Sequence, residues 1–187
     1  MDQIVISSTD FWVNSLIWGV LDLGLLALLV KIFKPSSFWG ALKPIAIVSI
    51  TLWSCFATAL YWGFWDIFYA QFLPDWARWG APFSGFVPYL PLALLFYLLS
   101  NKLPGNPILW FCLLGGLEGV AEHVLGIYGL HILEKVPLLN GIEPLPIMVF
   151  SFFEYTLYWG LLLLLAWGIV KVLTFNRKRR FSVGRGS

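Results

Sequence analysis

Charged side chains are scarce in this chain. Asp, Glu, Lys and Arg make up 12% of its 187 residues, where a soluble domain carries about 25%, so a water-soluble globular fold is excluded. Hydrophobic residues reach 59% and the mean hydropathy is +0.81. Apolar runs of roughly 20 residues recur along nearly the whole length, and no stretch is left over to bury a separate soluble core. The expectation is one domain over residues 1–187, an all-α polytopic membrane protein. Cysteine is nearly absent too. Cys55 and Cys112 are the two in the sequence; both fall in apolar runs, where a thiol behaves as a small hydrophobe, so no disulfide framework is implied. MDQIVISSTD places no basic residue ahead of the first apolar run, so no cleavable signal peptide is expected. No fixed-period repeat is present. LYWG occurs at residues 60–63 and 157–160, and chance accounts for it in a chain this rich in those four residue types.

Five spans are predicted, over residues 11–33, 44–65, 83–100, 107–133 and 145–173, with a basic tail over 174–187. Lys31, Lys34, Lys43, Lys102, Lys171, Arg177, Lys178, Arg179, Arg180 and Arg185 then lie on one side of the membrane, leaving Arg78 and Lys135 on the other. By the positive-inside rule the C-terminus is cytoplasmic and the N-terminus outside. The tail serves as a topology determinant; binding of anionic lipid head groups is the alternative. Trp65, Trp76 and Trp79, in YWGFWDIFYAQFLPDWARW, read as an interfacial aromatic belt. The lipid bilayer is the expected partner, and no nucleic acid is.

Five ionisable residues sit inside the predicted helices: Asp22, Glu118, Glu122, His123 and Glu154. At about 1.5 Å of rise per residue, Glu122 and Glu154 each lie roughly 13 Å below the outer ends of their helices. Asp22 lies roughly 16 Å down its own, and Glu118 about 6 Å deeper than Glu122. All five fall in one slab of the outer half. Glu118 and Glu122 sit about 40° apart on a face shared with Gly115, Gly119, Gly126 and Gly129. Glycines at that spacing let a neighbouring helix approach closely. His123 points about 100° away from Glu122, on the side of Gly116 and Cys112. Glu154 shares a face with Ser151 and Tyr158, and Asp22 shares one with Ser15, Trp18 and Gly19. Asp66, His131, Glu134 and Lys135 read as solvated groups nearer the outer surface.

The spans hold no Lys or Arg away from their ends. Four carboxyls therefore share a low-dielectric slab with one histidine. An ionised carboxylate at the bilayer centre costs at least about 2.5 kcal/mol on insertion scales, so four unpaired anions are excluded. Either some of them carry protons or a cation neutralises them. Helix-to-helix hydrogen bonds alone return about 0.6 kcal/mol each in a bilayer, which makes a purely structural role a weak reason to bury five such groups.

The Glu-x-x-His spacing of di-metal carboxylate bundles is missing from this slab. Were a metal present, Glu118, Glu122, His123 and Glu154 would be its candidate ligands, but no metal or other cofactor is expected. Acid–base chemistry on a hydrophobic substrate fits the residue types better, because a protonated carboxyl and an ionised one supply both proton transfers. Glu118, Glu122 and Glu154 form the carboxyl set, His123 the relay and Asp22 the orienting partner. Trp18, Trp62, Trp65, Tyr158 and Trp159 are the expected substrate-binding wall, since aromatic faces stabilise cations. That combination suits double-bond isomerisation or cyclisation of a lipid, sterol or terpenoid. A proton- or cation-coupled transporter and an accessory subunit of a larger complex are the alternatives. For transport, a homo-oligomer would supply the symmetry that a single chain lacks.

Overall fold

A computed structural model describes residues 7–32, 42, 46–47, 51, 89, 91–131 and 141–183, with side chains up to residue 172. Local signals set where each helix starts. Ser7 and Asp10 close a reciprocal cap: the Asp10 amide donates to Ser7 Oγ (3.3 Å), and the Ser7 amide donates to Asp10 Oδ2 (2.8 Å). Helix α1, Ser8–Ile32, follows from it. Helix α2, Pro91–Ser100, is closed by the amides of Lys102 and Leu103 donating to the Leu99 carbonyl at 2.9 and 3.0 Å. A turn with Gly105 at φ 96° leads to Asn106, whose Oδ1 accepts from the Ile108 amide at 2.9 Å. Pro107 then opens helix α3, Pro107–Val124, in the position where its missing N–H is not needed. Helix α4, Pro144–Val183, likewise begins on a proline.

Three of these helices are long and apolar enough to cross a membrane: residues 8–31, 107–129 and 144–172. They match the first, fourth and fifth predicted spans and are compatible with a membrane location. Two ends differ from the sequence reading. The fourth span widens into a π-helical turn, Leu125–Gly129, and stops short of residue 133; the Leu130 amide donates back to the Leu125 carbonyl at 2.8 Å and His131 takes φ 51°. Helix α4 continues through the basic tail to Val183, because cationic side chains are favoured at a helix C-terminus and no Gly or Pro intervenes before Gly184. Of the third predicted span, Tyr89 and α2 are described as helical. The second is described only at Ala46, Ile47 and Thr51, so a count of five helices goes beyond the described residues, which hold four.

Helix α4 is the spine of the fold and packs along both α1 and α3, which meet each other only slightly. Phe11 and Trp18 stack edge-on against Phe150, Gly19 lies against Phe153, and Leu25 against Gly160. Residue numbers rise together along both helices, so α1 and α4 are parallel. Between α3 and α4 they run oppositely: Gly119 meets Tyr155, Gly116 meets Thr156 and Phe152, and Gly115 meets Trp159. A β-carbon on any of those three glycines would overlap the α4 side chain opposite. The predicted close approach of a neighbouring helix is thus made by α4, through Gly115 and Gly119 with Gly116 added.

The core centres on Trp159, which is fully buried. Its ring lies 5.1 Å from Phe96, 5.6 Å from Phe111, and 5.9 Å from both Tyr89 and Tyr158. Large apolar side chains face outward instead on α1, with Leu16 71% and Leu23 69% exposed.

Gly115→Ala should cost about 1–3 kcal/mol of stability, the range for overpacking a filled core, because the Trp159 indole has to move. Gly168, with nothing within 4 Å of an added β-carbon, is the control, and Gly168→Ala should be neutral. Thermal unfolding of both variants in the same detergent checks this.

Candidate functional site

The buried polar groups fall into two kinds. Hydroxyls satisfy themselves on their own helices: Ser15 donates to the Phe11 carbonyl (2.7 Å), Ser151 to Met148 (3.0 Å) and Thr156 to Phe152 (2.7 Å). Ionised carboxylates only accept, and a helix interior offers them no free donor. They need a donor from another helix or a proton of their own.

Glu122 and Glu118 obtain such donors. Tyr155 Oη on α4 donates to Glu122 Oε2 at 2.7 Å, and Tyr89 Oη reaches the same oxygen at 3.4 Å while donating to Tyr155 Oη at 3.3 Å. One turn deeper on α3, Trp159 Nε1 donates to Glu118 Oε2 at 3.1 Å. The two carboxyls stand one turn apart on the same face of α3. Glu118 is 9% exposed, and its Oε1 is enclosed with no hydrogen-bond partner among the described residues. Two ionised carboxylates have no hydrogen to offer; a proton on one of them supplies it.

The other predicted residues are placed differently. His123 Nδ1 lies 2.9 Å from the Gly119 carbonyl of its own helix, and its ring stands edge-on to Tyr155 at 6.1 Å. The histidine therefore meets the network through an aromatic face, and its ring nitrogen is engaged by the backbone. Glu154 is half-buried beside Tyr155 and makes no hydrogen bond among the described residues. Asp22 stands apart on α1. It is 3% exposed, and both of its oxygens lack a partner among the described residues. Gly19 meets Phe153 and Leu25 meets Gly160, so Asp22 is level with the turn of α4 that carries Tyr155, within the predicted slab.

Of the predicted aromatic wall, Trp159 is inside the core and holds Glu118. Tyr158 is half-buried between Tyr89 and Trp159, and Trp18 packs against Phe150. Trp62 and Trp65 lie outside the described residues, as do Trp76, Trp79, Asp66, Glu134 and Lys135; His131 is exposed. Tyr89 and Tyr155 were not singled out from the sequence. The signal for Tyr155 is its place opposite Gly119, where the close approach leaves a phenol long enough to reach a carboxyl on the next turn. Among the described residues no three His, Cys, Asp or Glu side chains converge as metal ligands. No family model matches the chain, and no curated protein or solved structure shows significant similarity to it.

Tyr155→Phe should lower stability by about 0.6 kcal/mol, the mean for a hydrogen bond between helices in a bilayer. Trp159→Ala, which also opens a cavity, should cost about 3–5 kcal/mol. Equilibrium unfolding in bicelles ranks the two; equal losses would contradict the central place given to Trp159.

Proposed function

We propose that this protein is a membrane-embedded acid–base enzyme of isomerase or cyclase type, acting on a hydrophobic lipid, sterol or terpenoid substrate. One observation carries the reading: two carboxyls on one face of α3 are held by neutral donors, Tyr155 on Glu122 with Tyr89 behind it and Trp159 on Glu118, with no Lys or Arg among their partners in the described residues. A site built this way binds a proton and releases it. The Tyr155 hydroxyl, itself accepting from Tyr89, donates to Glu122 and gives the carboxylate form a partner. Glu118, pinned by Trp159, remains as the partner that shares or reclaims that proton. In this proposal Glu122 is the donor to substrate, being the less buried of the two. His123, edge-on to Tyr155, and Glu154, next to it on α4, exchange protons with the outside in this proposal. Trp18 and Tyr158 are the described members of the aromatic wall that, in this proposal, stabilises developing positive charge.

The architecture that goes with this reading is a single five-span domain, N-terminus outside and C-terminus cytoplasmic. The parallel course of α1 and α4 is what alternating spans require of the first and fifth. Enclosure of Glu118 Oε1 favours one second reading, in which the same pair takes up and releases a proton during coupled transport.

Membranes containing the protein, incubated in heavy water with their native lipids, should yield a lipid carrying deuterium at carbon. An acid–base isomerase adds a solvent-exchanged proton to one carbon and removes one from another. Glu122→Gln and Glu154→Gln should abolish the incorporation while eluting as folded protein on size exclusion. Deuterated lipid at the same level with Glu122→Gln, or none with the intact protein, sinks the enzyme assignment. Proton uptake into liposomes that Glu122→Gln removes would then support the transport reading.

A further inference from the structure

The Asp22 carboxyl is the most isolated polar group among the described residues. It lies near the middle of an apolar helix, 3% exposed, and neither oxygen has a hydrogen-bond partner among them. The groups facing it can be named from each packed element. On its own face, Ser15 has committed its hydroxyl to Phe11. One turn on, Leu25 packs against Gly160 of α4, where an added β-carbon would stand 3.0 Å from Leu25 Cδ2 and 3.5 Å from Cys112 Sγ of α3. Cys112 is the titratable group on the α3 side of this seam, and it is fully buried as a neutral thiol would be. On the adjoining turn of α4, Thr156 is engaged with Phe152 and Tyr155 with Glu122. No cation and no free donor faces Asp22 among the described residues.

We propose that Asp22 is a proton-binding carboxyl in the seam of α1, α3 and α4, separate from the Glu118–Glu122 pair. An isolated carboxylate in apolar surroundings gives up its charge by taking a proton. A hard cation would need several oxygen ligands, and the hydroxyls of the neighbouring turns are turned to their own helices or to Glu122. Two proton sites then flank α4 at one level, the glutamate pair on its α3 side and Asp22 on its α1 side. The assignment stands on Asp22's own surroundings and does not need the enzyme reading to hold.

A lipid-soluble carbodiimide tests it. The O–H of a carboxylic acid adds across one C=N bond: the proton passes to nitrogen, the carboxyl oxygen bonds to the central carbon, and rearrangement leaves a stable N-acylurea with no leaving group. An ionised carboxylate without a proton does not start that reaction. Leu21 and Leu23, 51% and 69% exposed, flank Asp22 on the outward face of α1 and give a reagent dissolved in lipid its approach. The full-length protein in mild detergent is treated with dicyclohexylcarbodiimide near neutral pH, and the labelled peptide is located by fragmentation mass spectrometry, which needs no variant. The expected result is an adduct on Asp22, lost in Asp22→Asn and retained when Glu118 and Glu122 are both changed to Gln. Infrared spectra should show an acid C=O band present in the native protein and lost in Asp22→Asn. Absence of both adduct and band overturns the proposal. Loss of the adduct on adding sodium at constant pH also overturns it, by making the seam a cation site.

Discussion

A carboxylate has nothing to donate, and the inside of an apolar helix bundle has little to give it. That mismatch organises this protein. Where the buried polar group is a hydroxyl, a carbonyl of the preceding turn is enough, and Ser15, Ser151 and Thr156 all use one. Glu118 and Glu122 cannot, so a second helix has to bring donors to them. The glycines of α3 exist in that context: with Gly115, Gly116 and Gly119 opposite Trp159, Thr156 and Tyr155, α4 comes close enough for an indole and a phenol to reach across. Trp159 joins the two demands, closing the aromatic core with its ring and satisfying Glu118 with its nitrogen.

Satisfaction of the pair is incomplete in a telling way. Two donors, Tyr155 and Trp159, serve two carboxyls, and one oxygen of Glu118 is left enclosed with no partner among the described residues. Half-satisfied polar networks are costly in low dielectric, and we read a proton on the pair as what relieves that cost. In our reading that proton is the working part of the site. The π-helical turn at Leu125–Gly129, immediately beyond Glu122 and His123, belongs to the same picture, since such turns frequently occur at functional sites.

Much of this was legible in the sequence, because it depends on periodicity along one helix. The positions of α1, α3 and the apolar part of α4, the shared face of Glu118 and Glu122, and its glycines follow from spacing alone. Asp22, Ser15 and Gly19 likewise form the buried stripe of α1 that their spacing implies. What spacing cannot give is the register between helices. Tyr155 and Tyr89 reach Glu122, and Trp159 turns inward to Glu118 instead of joining a ligand wall, only because particular turns of α2, α3 and α4 come level. The separation of Asp22 from the glutamates has the same origin. Depth alone placed it with them, but it has no partner among the described residues, while the glutamates meet Tyr155 and Trp159 of α4.

Whether the Glu118–Glu122 pair holds one proton is measured most directly by carbon-13 solid-state NMR of glutamate-labelled protein in lipid bilayers at neutral pH. Assigned through the Glu118→Gln and Glu122→Gln variants, the pair should give one carboxyl signal in the acid form and one in the ionised form, both shifting when Trp159 is replaced by Phe. Two fully ionised signals would contradict the account and require a cation at the site.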